Sequence, residues 1–260
     1  VTGAGSGIGR AAAAALAARG ARVLLVDRDE PSLAAVGETI GHARTFVCDV
    51  ADPEAMERMA LQVLDSEGVP DVVLNNAGIG IAGAFLHTEA ADWRRIVDVN
   101  LLGVATGCRL FGRAMVLRGG GGQIVNTASA AAFMPSRSLP AYAATKAAVL
   151  MLSESLRAEL APFGIGVTAA CPGLIATNIT RATRYVDHPE GEQDRVAQEV
   201  TRLYARRNFT PERVAAEILR AIGEDRAVAV ITPEAKVMRA IGRLFPGLAR
   251  RLAALDALPV

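Results

Sequence analysis

The feature that most constrains the fold is a glycine-rich turn at the start of the chain. Gly3, Gly7 and Gly9 stand in the order Thr-Gly-x-x-x-Gly-x-Gly, followed by an alanine-rich helical stretch and a short apolar strand at residues 23–27. Glycines let the backbone approach a pyrophosphate closely, and a helix N-terminus offers free N–H groups and a favourable dipole. The pattern predicts a strand–turn–helix–strand unit that binds a dinucleotide. An ordinary glycine turn is the alternative.

The acid that ends this strand bears on which dinucleotide binds. Asp27 lies eighteen positions after Gly9, where a carboxylate accepts hydrogen bonds from an adenosine ribose and repels a 2′-phosphate. This favours NAD over NADP. Arg28 keeps NADP open, because its side chain could hold the phosphate if it turned inward.

Apolar segments typical of strands alternate with helical segments along the rest of the chain. The strand at residues 23–27 counts as the second of the sheet, and the third to seventh lie at residues 45–50, 69–74, 123–126, 165–170 and 227–231. The alternation predicts a single α/β domain with a doubly wound parallel sheet, right-handed crossovers and helices on both faces. Most of the first strand would precede Val1, so we expect the natural protein to extend upstream. Counted with that first strand, the predicted sheet has seven strands.

Polar residues interrupt two apolar stretches. Asn75-Asn76-Ala77-Gly78 follows the fourth strand, where polar residues face the ligand crevice of an open sheet. A turn stabilised by asparagine side chains is the alternative. Asn100 lies within a helical pattern predicted over residues 88–118, where a buried amide needs partners. It could instead bond only its own backbone.

A tyrosine and a lysine share one helix face. Tyr142 and Lys146 begin a segment that reads as a helix over residues 143–163, and Ser129 precedes them at the end of the fifth strand. A lysine cation one turn away favours the phenolate and lowers the tyrosine pKa from about 10 towards neutrality. Such a tyrosine can act as an acid or a base. Alone, the pair usually marks a solvated helix face.

Two segments depart from the alternating pattern. Residues 178–209 are charged and polar, with a loop at residues 187–191, and predict a lid beside a site. The tail, residues 234–256, has an apolar stripe interrupted at Pro246 and Gly247, and a basic side. The stripe is Val237, Ile241, Leu244, Leu248 and Leu252, and the basic side is Lys236, Arg239, Arg243, Arg250 and Arg251. The tail predicts contact with a membrane surface or the shielding of an apolar substrate. The alternative, which we favour, is a helix packed on its own domain or on a partner subunit.

The composition excludes several classes of protein. Hydrophobic residues make up 51% of the chain and the net charge is +1, which excludes global disorder and gives no reason to expect nucleic acid. Cys48, Cys108 and Cys171 are scattered singly, which argues against a zinc site or a disulfide framework. No run of about 20 apolar residues is present. We therefore expect a cytoplasmic protein without a metal. The tail alone leaves contact with a membrane surface open.

Together the motifs resemble the short-chain dehydrogenase/reductase family. Six motifs have the family's order and spacing, and they span essentially the whole chain. They are the glycine turn, Asn75-Asn76-Ala77-Gly78, Asn100, Ser129, Tyr142-x-x-x-Lys146 and Pro172-Gly173. The resemblance implies one Rossmann-type domain over residues 1–260 and a homodimer or homotetramer packed through the long helices. It also implies an NAD(P)-dependent oxidoreductase that interconverts a secondary alcohol and a ketone by hydride transfer.

The resemblance also implies roles for individual residues. Tyr142 is the acid or base, and Lys146 lowers its pKa and holds the nicotinamide ribose. Ser129 binds the substrate oxygen, and Asn100 organises a proton-relay water. The implied cofactor-binding positions are Thr2, Gly3, Ser6, Gly7, Ile8, Gly9, Asp27, Arg28, Asp49, Val50, Asn76, Ala77, Gly78, Tyr142, Lys146, Pro172, Gly173 and Thr177.

The cofactor and substrate can be narrowed further. Members of the family that prefer NADP often carry a basic residue at the position of Ser6, so NAD is favoured. The apolar tail and the Phe133-Met134 pair favour an apolar or lipid-like substrate. Alternatives are an NADP-preferring ketone reductase, an enzyme of elimination or dehalogenation, and a nucleotide-binding regulator or membrane-surface module without turnover. The tail also resembles actinobacterial members, some of them fused behind an epoxide-hydrolase-like domain.

Overall fold

The structure is a computed structural model that describes residues 1–175, 177–205 and 209–255. Its strands are β1 (Leu24–Asp27), β2 (Arg44–Val47), β3 (Val72–Asn75), β4 (Gly80–Ala82), β5 (Gly122–Thr127), β6 (Ile165–Cys171), β7 (Thr183–Tyr185) and β8 (Val228–Val230). Its helices are α1 (Gly7–Ala17), α2 (Glu30–Ile40), α3 (Pro53–Ser66), α4 (Ala90–Val97), α5 (Gly103–Arg118), α6 (Pro140–Leu160), α7 (Gln193–Ala205), α8 (Pro211–Gly223), α9 (Pro233–Leu244) and α10 (Pro246–Ala254).

The main sheet is parallel and doubly wound, as predicted. β1 pairs with β2, and β3, β5, β6 and β8 pair in that order. Residues 1–2 join the two groups, because Thr2 bridges Val26 and its N–H donates to Leu74 O at 3.0 Å. The strand order therefore reverses between residues 1–2 and β3, and ligands bind at such a switch point in open α/β sheets.

Helices cover both faces of this sheet because successive strand residues point to opposite sides. Val73 and Ile124 belong to a core that includes residues of α3, α5 and α6. Their neighbours Leu74 and Val125 belong to a second core with residues of α1 and α8. β3, β5 and β6 are buried along most of their length, as expected for strands covered on both faces. The prediction of a parallel sheet with helices on both faces is confirmed.

Helix starts follow capping signals in the sequence. Asp52 accepts a hydrogen bond from Ala55 N at 3.0 Å, with Pro53 at the first position of α3. Thr210 caps α8 in the same way, and Thr232 caps α9. These side chains satisfy backbone donors that have no partner within a helix, which fixes where each crossover begins.

The helix predicted over residues 88–118 is not continuous. α4 ends at Val97, a π-helical turn covers Asp98–Leu102, and α5 begins at Gly103. Within this turn, Asn100 is fully buried. A π-helical turn inserts a residue into the helix and is found often at functional sites, and a hydrophobic pattern alone does not reveal it.

The segment predicted as a lid over residues 178–209 is more regular than the sequence suggests. β7 pairs with β4 in a small parallel sheet, and α7 follows from Gln193. Val196, Ala197 and Val200 are buried against Tyr185. Residues 206–208 of this segment lie outside the described residues. In the tail, α9 and α10 meet at Pro246, where an interruption was predicted. Within the described ranges, no helix is both long and apolar enough to cross a bilayer.

Candidate active site

A cleft of about 640 Å³ opens at the carboxyl ends of the strands. The residues that follow β1, β2, β3, β5 and β6 all contribute to its wall, which places the cleft at the switch point of the sheet. Parts of α6, α7, α9 and α10 complete the wall. The cleft thus brings together segments that are far apart in the sequence.

The floor of the cleft at one end is the glycine turn. Gly3 and Gly7 have φ angles of 65° and 51°, in the left-handed region that favours glycine. A Cβ atom on Gly3 would lie 2.8 Å from Ala77 Cα. Gly7 is the first residue of α1, so the free N–H groups of that helix face the same region. The geometry fits the predicted binding of a phosphate group.

Thr2 and Asn76 tie this turn to the loop after β3. The Thr2 hydroxyl accepts hydrogen bonds from Asn76 N at 2.9 Å and Ala77 N at 3.1 Å. The Asn76 side chain donates to Thr2 O at 3.1 Å. Two residues predicted to bind cofactor, Thr2 and Gly9, do not line the cleft. Thr2 is buried behind its wall, and Gly9 makes room for Gly3 O, which a Cβ atom would approach to 2.1 Å.

Asp27 lies beside the glycine turn and lines the cleft. One carboxylate oxygen accepts from Gly5 N at 2.8 Å, and the other accepts from Asp29 N at 3.1 Å. Each oxygen keeps acceptor capacity, because a carboxylate offers about four lone-pair sites. A ribose hydroxyl is the kind of donor that these sites accept.

Arg28 also lines the cleft, and its guanidinium lies 3.7 Å from Asp49. Arg95 contacts the same carboxylate at 3.0 Å. Burial raises the pKa of Asp49, but the Ala51 N–H and the two guanidiniums lower it more, leaving it below its usual value. Arg28 is therefore partly neutralised by Asp49, which lessens its attraction for a 2′-phosphate.

Ser129, Tyr142 and Lys146 come together on the opposite wall. Ser129 and Tyr142 both line the cleft, and the Ser129 side chain acts on Tyr142 to lower its pKa. Lys146 Nζ lies 5.6 Å from the centroid of the Tyr142 ring and donates to Thr127 O at 2.8 Å. Pro140 starts α6 two residues before the tyrosine, and β5 ends two residues before the serine, so regular elements hold all three.

The pKa values in this group differ from the sequence-based expectation. Burial raises the pKa of Tyr142 above its usual value, and the hydrogen bond with Ser129 lowers it only in part. Burial also lowers the pKa of Lys146 to about 8. The expected lowering of the tyrosine pKa by Lys146 is thus wrong for the protein alone. Loss of water around the phenol outweighs the interaction with Ser129 that favours the phenolate.

Asn100 is held behind this wall and does not line the cleft. Its amide oxygen accepts from Ile79 N at 2.9 Å, and its amide nitrogen donates to Ile79 O at 3.0 Å and Thr145 at 3.3 Å. Asn100 therefore bonds a different segment of chain, and not merely its own backbone. It fixes the loop after β3 against α6, and its role with a relay water stays a prediction.

The loop after β6 closes over the glycine turn. The side chain of Thr177 lies 3.1 Å from the position of a Cβ atom on Gly7. Gly173 allows close approach of Thr232 and Glu234, and Glu234 accepts from Leu174 N at 3.3 Å. Ala176 lies outside the described residues. Pro172, Gly173 and Thr177 all line the cleft, as do the other predicted cofactor positions apart from Thr2 and Gly9.

The end of the cleft beyond Tyr142 is mainly apolar. It is lined by Met134, Leu139, Ile179, Tyr185, Val200, Tyr204, Met238 and Leu252. Of the Phe133-Met134 pair predicted to face the substrate, only Met134 lines the cleft. Phe133 packs instead under Arg239 of α9, 5.9 Å from its ring. Sequence reasoning did not assign Leu139, Tyr185 or Val200 to the cleft wall. Leu139 is the residue before α6, and the other two belong to the segment predicted as a lid.

The residues around the cleft fit a dinucleotide. The positive φ angles and close contacts of the glycine turn leave backbone N–H groups accessible, and Asp27 offers carboxylate acceptors beside the turn. Sequence reasoning also missed Gly5, which lies against Asp27 and Ser32, and it missed Ser32, which lines the cleft with it. The fold and cleft together define a dinucleotide-binding oxidoreductase with a tyrosine, a serine and a lysine at its reaction end.

Comparison with known proteins supports this class. The family model for short chain dehydrogenases matches residues 1–186. A probable oxidoreductase, EphD of Mycobacterium tuberculosis, is 43% identical over 98% of this chain and 44% of EphD. Galactitol 2-dehydrogenase (L-tagatose-forming) of Cereibacter sphaeroides is 40% identical over 73% of this chain and 75% of that enzyme. A short-chain dehydrogenase/reductase from Burkholderia phymatum, solved in complex with NAD, superposes with a TM-score of 0.85 at 29% identity, covering 100% and 95% of the two chains.

The chain belongs to the short-chain dehydrogenase/reductase family. Its family and the relatives and solved structure that it resembles support an NAD(P)-dependent oxidoreductase acting on CH–OH groups. The chain spans less than half the length of EphD.

Proposed function

We propose that the chain interconverts a secondary alcohol and a ketone, with NAD as its preferred cofactor and an apolar substrate. The observation that carries the proposal is the placement of Ser129, Tyr142 and Lys146 together on the wall of one cleft, with Lys146 Nζ 5.6 Å from the centroid of the Tyr142 ring. Two hydroxyl groups at that place can hold one substrate oxygen between them. Apolar walls beyond them leave aliphatic groups as the matching substrate chemistry.

Tyr142 transfers the proton in this mechanism. In the reducing direction its hydroxyl donates the proton to the carbonyl oxygen as the C–O bond becomes single. In the oxidising direction the phenolate accepts the alcohol proton. Ser129 donates a hydrogen bond to the same oxygen and so orients it. Burial keeps the tyrosine protonated, which suits the acid role directly. When bound, the nicotinamide accepts or supplies the hydride.

Lys146 has two tasks in the proposal. Its ammonium stabilises the phenolate that forms after proton transfer, since it is buried and within reach of the Tyr142 ring. It would also hold the hydroxyls of the nicotinamide ribose. Its hydrogen bond to Thr127 O keeps Nζ in place between cofactor and tyrosine. Asn100 positions the neighbouring loop and, in the proposal, a water that relays the proton onwards.

We propose NAD and not NADP on the basis of Asp27. Its carboxylate lies where the adenosine ribose is expected, and a 2′-phosphate there would meet a negative charge. Arg28, which carries the NADP alternative, is engaged by Asp49. The positions that would hold the cofactor are those of the cleft wall from Gly3 to Thr177. Thr2 and Gly9 act on it through the shape of the turn.

The experiment follows NADH and NADPH absorbance with secondary alcohols of increasing chain length and the corresponding ketones. We expect turnover with NAD that rises with chain length. Tyr142→Phe should lose roughly a thousandfold in kcat while still quenching or shifting NADH fluorescence. Ser66→Ala removes an exposed hydroxyl on α3, which donates to Gln62 O at 2.8 Å, and should stay active. Near-full turnover in Tyr142→Phe would remove the mechanism.

We also propose a homo-oligomer, formed by packing α5 and α6 against the same helices of a second copy. Leu117 of α5 and Met151 of α6 are 77% and 63% exposed in the single chain. Large apolar side chains of this kind are usually covered at stable interfaces, so a second copy packed on these helices would bury them. Light scattering of the purified chain tests this.

Residues 178–209 remain a proposed lid that closes over the substrate. A fusion to an epoxide-hydrolase-like domain stays a prediction, because the alignment with EphD says nothing of what its remaining length contains.

A further inference from the structure

The tail helices present most of their apolar stripe to solvent. On α9, Ala235, Met238 and Gly242 face inward, and a Cβ atom on Gly242 would lie 2.1 Å from Phe133 O. Val237 and Leu244, on the opposite side of the same helix, are exposed. The expectation that the tail packs on its own domain is thus met by Ala235, Met238 and Gly242. Of the predicted stripe, Val237, Leu244 and Leu248 stay exposed, whereas Leu252 lines the cleft.

Five strongly exposed apolar residues lie on or directly beside these two helices. They range from 46% to 76% exposed and consist of Val237, Leu244, Phe245, Leu248 and Leu255. Contiguous exposed apolar residues on a folded chain mark an interaction surface, whereas single ones are ordinary. We call these five residues the tail surface.

Positive charge surrounds the tail surface. Residues 235–255 contain five cations and no acid: Lys236, Arg239, Arg243, Arg250 and Arg251. None of the five forms an ion pair with a carboxylate among the residues that the structure describes, whereas most other arginines of the domain do. An uncompensated basic rim around an apolar patch is complementary to an anionic, apolar partner.

The same helices form part of the cleft wall. Met238 of α9 and Leu252 and Ala253 of α10 line the cleft. Only the thickness of these helices separates the apolar end of the cleft from the tail surface. A partner that binds the tail surface therefore lies next to the place where an apolar substrate would enter.

We propose that α9 and α10 dock this protein on an anionic lipid bilayer. The helices lie in the plane of the membrane, with the tail surface at the level of the acyl chains and the cations among the lipid headgroups. The basic rim favours an anionic bilayer over a second copy of the chain, because two copies facing each other would bring ten cations together. The docking places the cleft at a membrane, where an apolar alcohol or ketone concentrates. It goes beyond the proposed reaction and requires no turnover.

Sedimentation with lipid vesicles tests the proposal. We expect the full chain to sediment with vesicles of an equal mixture of phosphatidylcholine and phosphatidylglycerol, and at least tenfold more weakly with phosphatidylcholine alone. Raising the salt concentration should weaken the binding, because the attraction falls off over a Debye length. Each cation near such a surface contributes roughly a fivefold change in affinity.

Two matched sets of variants separate the contributions. Leu244→Ser with Leu248→Ser should reduce binding at least tenfold, whereas Leu61→Ser with Leu86→Ser, which removes exposed leucines elsewhere, should leave it unchanged. Arg243→Gln with Arg250→Gln and Arg251→Gln should reduce binding on the order of 100-fold, and only for the anionic vesicles. Circular dichroism confirms that each variant is folded.

Three results would overturn the proposal. One is the absence of sedimentation by the intact chain. Another is an equal loss of vesicle binding in both pairs of leucine variants. The third is an oligomer, seen by light scattering, that Leu244→Ser with Leu248→Ser dissociates, since a second copy would then cover the tail surface. Because sedimentation is measured without cofactor or substrate, its failure is distinct from a failure of the proposed alcohol oxidation.

Discussion

The side-chain amide of Asn100 forms a two-point hydrogen bond with the backbone of Ile79, at 2.9 and 3.0 Å. The amide is fully buried in a π-helical turn. Ile79 directly follows the loop that Thr2 grips from the other side through Asn76 and Ala77. The loop after β3 is thus held at both ends, between the glycine turn and the helix that carries Tyr142.

Replacement of Asn100 should therefore cost stability as well as activity. Asn100→Leu keeps the approximate volume but leaves the N–H and C=O groups of Ile79 without partners, for a loss of about 2–4 kcal/mol in the free energy of unfolding. Urea unfolding followed by fluorescence measures the loss. Gln62→Leu, the same change on an exposed face of α3, serves as the control and should shift the value by less than about 0.5 kcal/mol. Equal effects of the two changes would contradict the two-point bond.

Gly9 is expected to tolerate no side chain. A Cβ atom there would lie 2.1 Å from Gly3 O and 2.6 Å from Asn76 Nδ2, so α1 must move away from the turn. Gly9→Ala should lower the free energy of unfolding by roughly 2 kcal/mol or more and weaken NADH binding at least tenfold. Fluorescence titration with NADH measures the binding. Gly191→Ala, where a Cβ atom meets nothing within 4 Å, should change neither quantity.

The sequence predicts the parts of this site that come from local patterns. The glycine turn, the acid at the end of β1 and the Tyr142–Lys146 pair each depend on the spacing of a few residues, and all lie on the cleft. The sheet is predictable for the same reason, because strands buried on both faces read as continuous apolar runs. Even the edge that holds the ligand follows from the alternation of strands and helices.

What the sequence does not predict depends on burial and on contacts across the chain. The π-helical turn at Asn100 leaves the apolar pattern unchanged, and the β4–β7 pair joins segments about a hundred residues apart. The stripe of the tail suggested packing on the domain, but small residues such as Gly242 pack there because only they fit against Phe133 O. The pKa of Tyr142 depends on solvent exclusion, which spacing does not contain.

The lowered pKa of Lys146 predicts a dependence of stability on pH. The pKa is about 8 in the folded chain and 10.5 as the usual value, so between those values the unfolded state binds more protons than the folded state. Stability from this group therefore rises with pH across that window and is constant below it. In the protein without added nucleotide, wild type should gain on the order of 1–2 kcal/mol relative to Lys146→Met between about pH 7.5 and about pH 9.5.

Urea unfolding of both proteins at the two pH values checks this prediction. Lys146→Met keeps the length of the side chain and removes the titrating group, so other groups cancel in the comparison. A difference that stays constant over this range, or that moves in favour of Lys146→Met, would contradict a lowered lysine pKa.

Asp27 should set the preference between the two nucleotides. Asp27→Asn keeps an acceptor for Gly5 N, which lies 2.8 Å from the carboxylate, and removes the charge that repels a 2′-phosphate. We expect the ratio of kcat/KM for NADP to that for NAD to rise at least tenfold, equivalent to about 1.4 kcal/mol. Initial rates with a common alcohol give the ratio. Asp65→Asn removes the same charge from an exposed position on α3 and should leave the ratio unchanged. If the two variants behave alike, Arg28 and not Asp27 governs the choice.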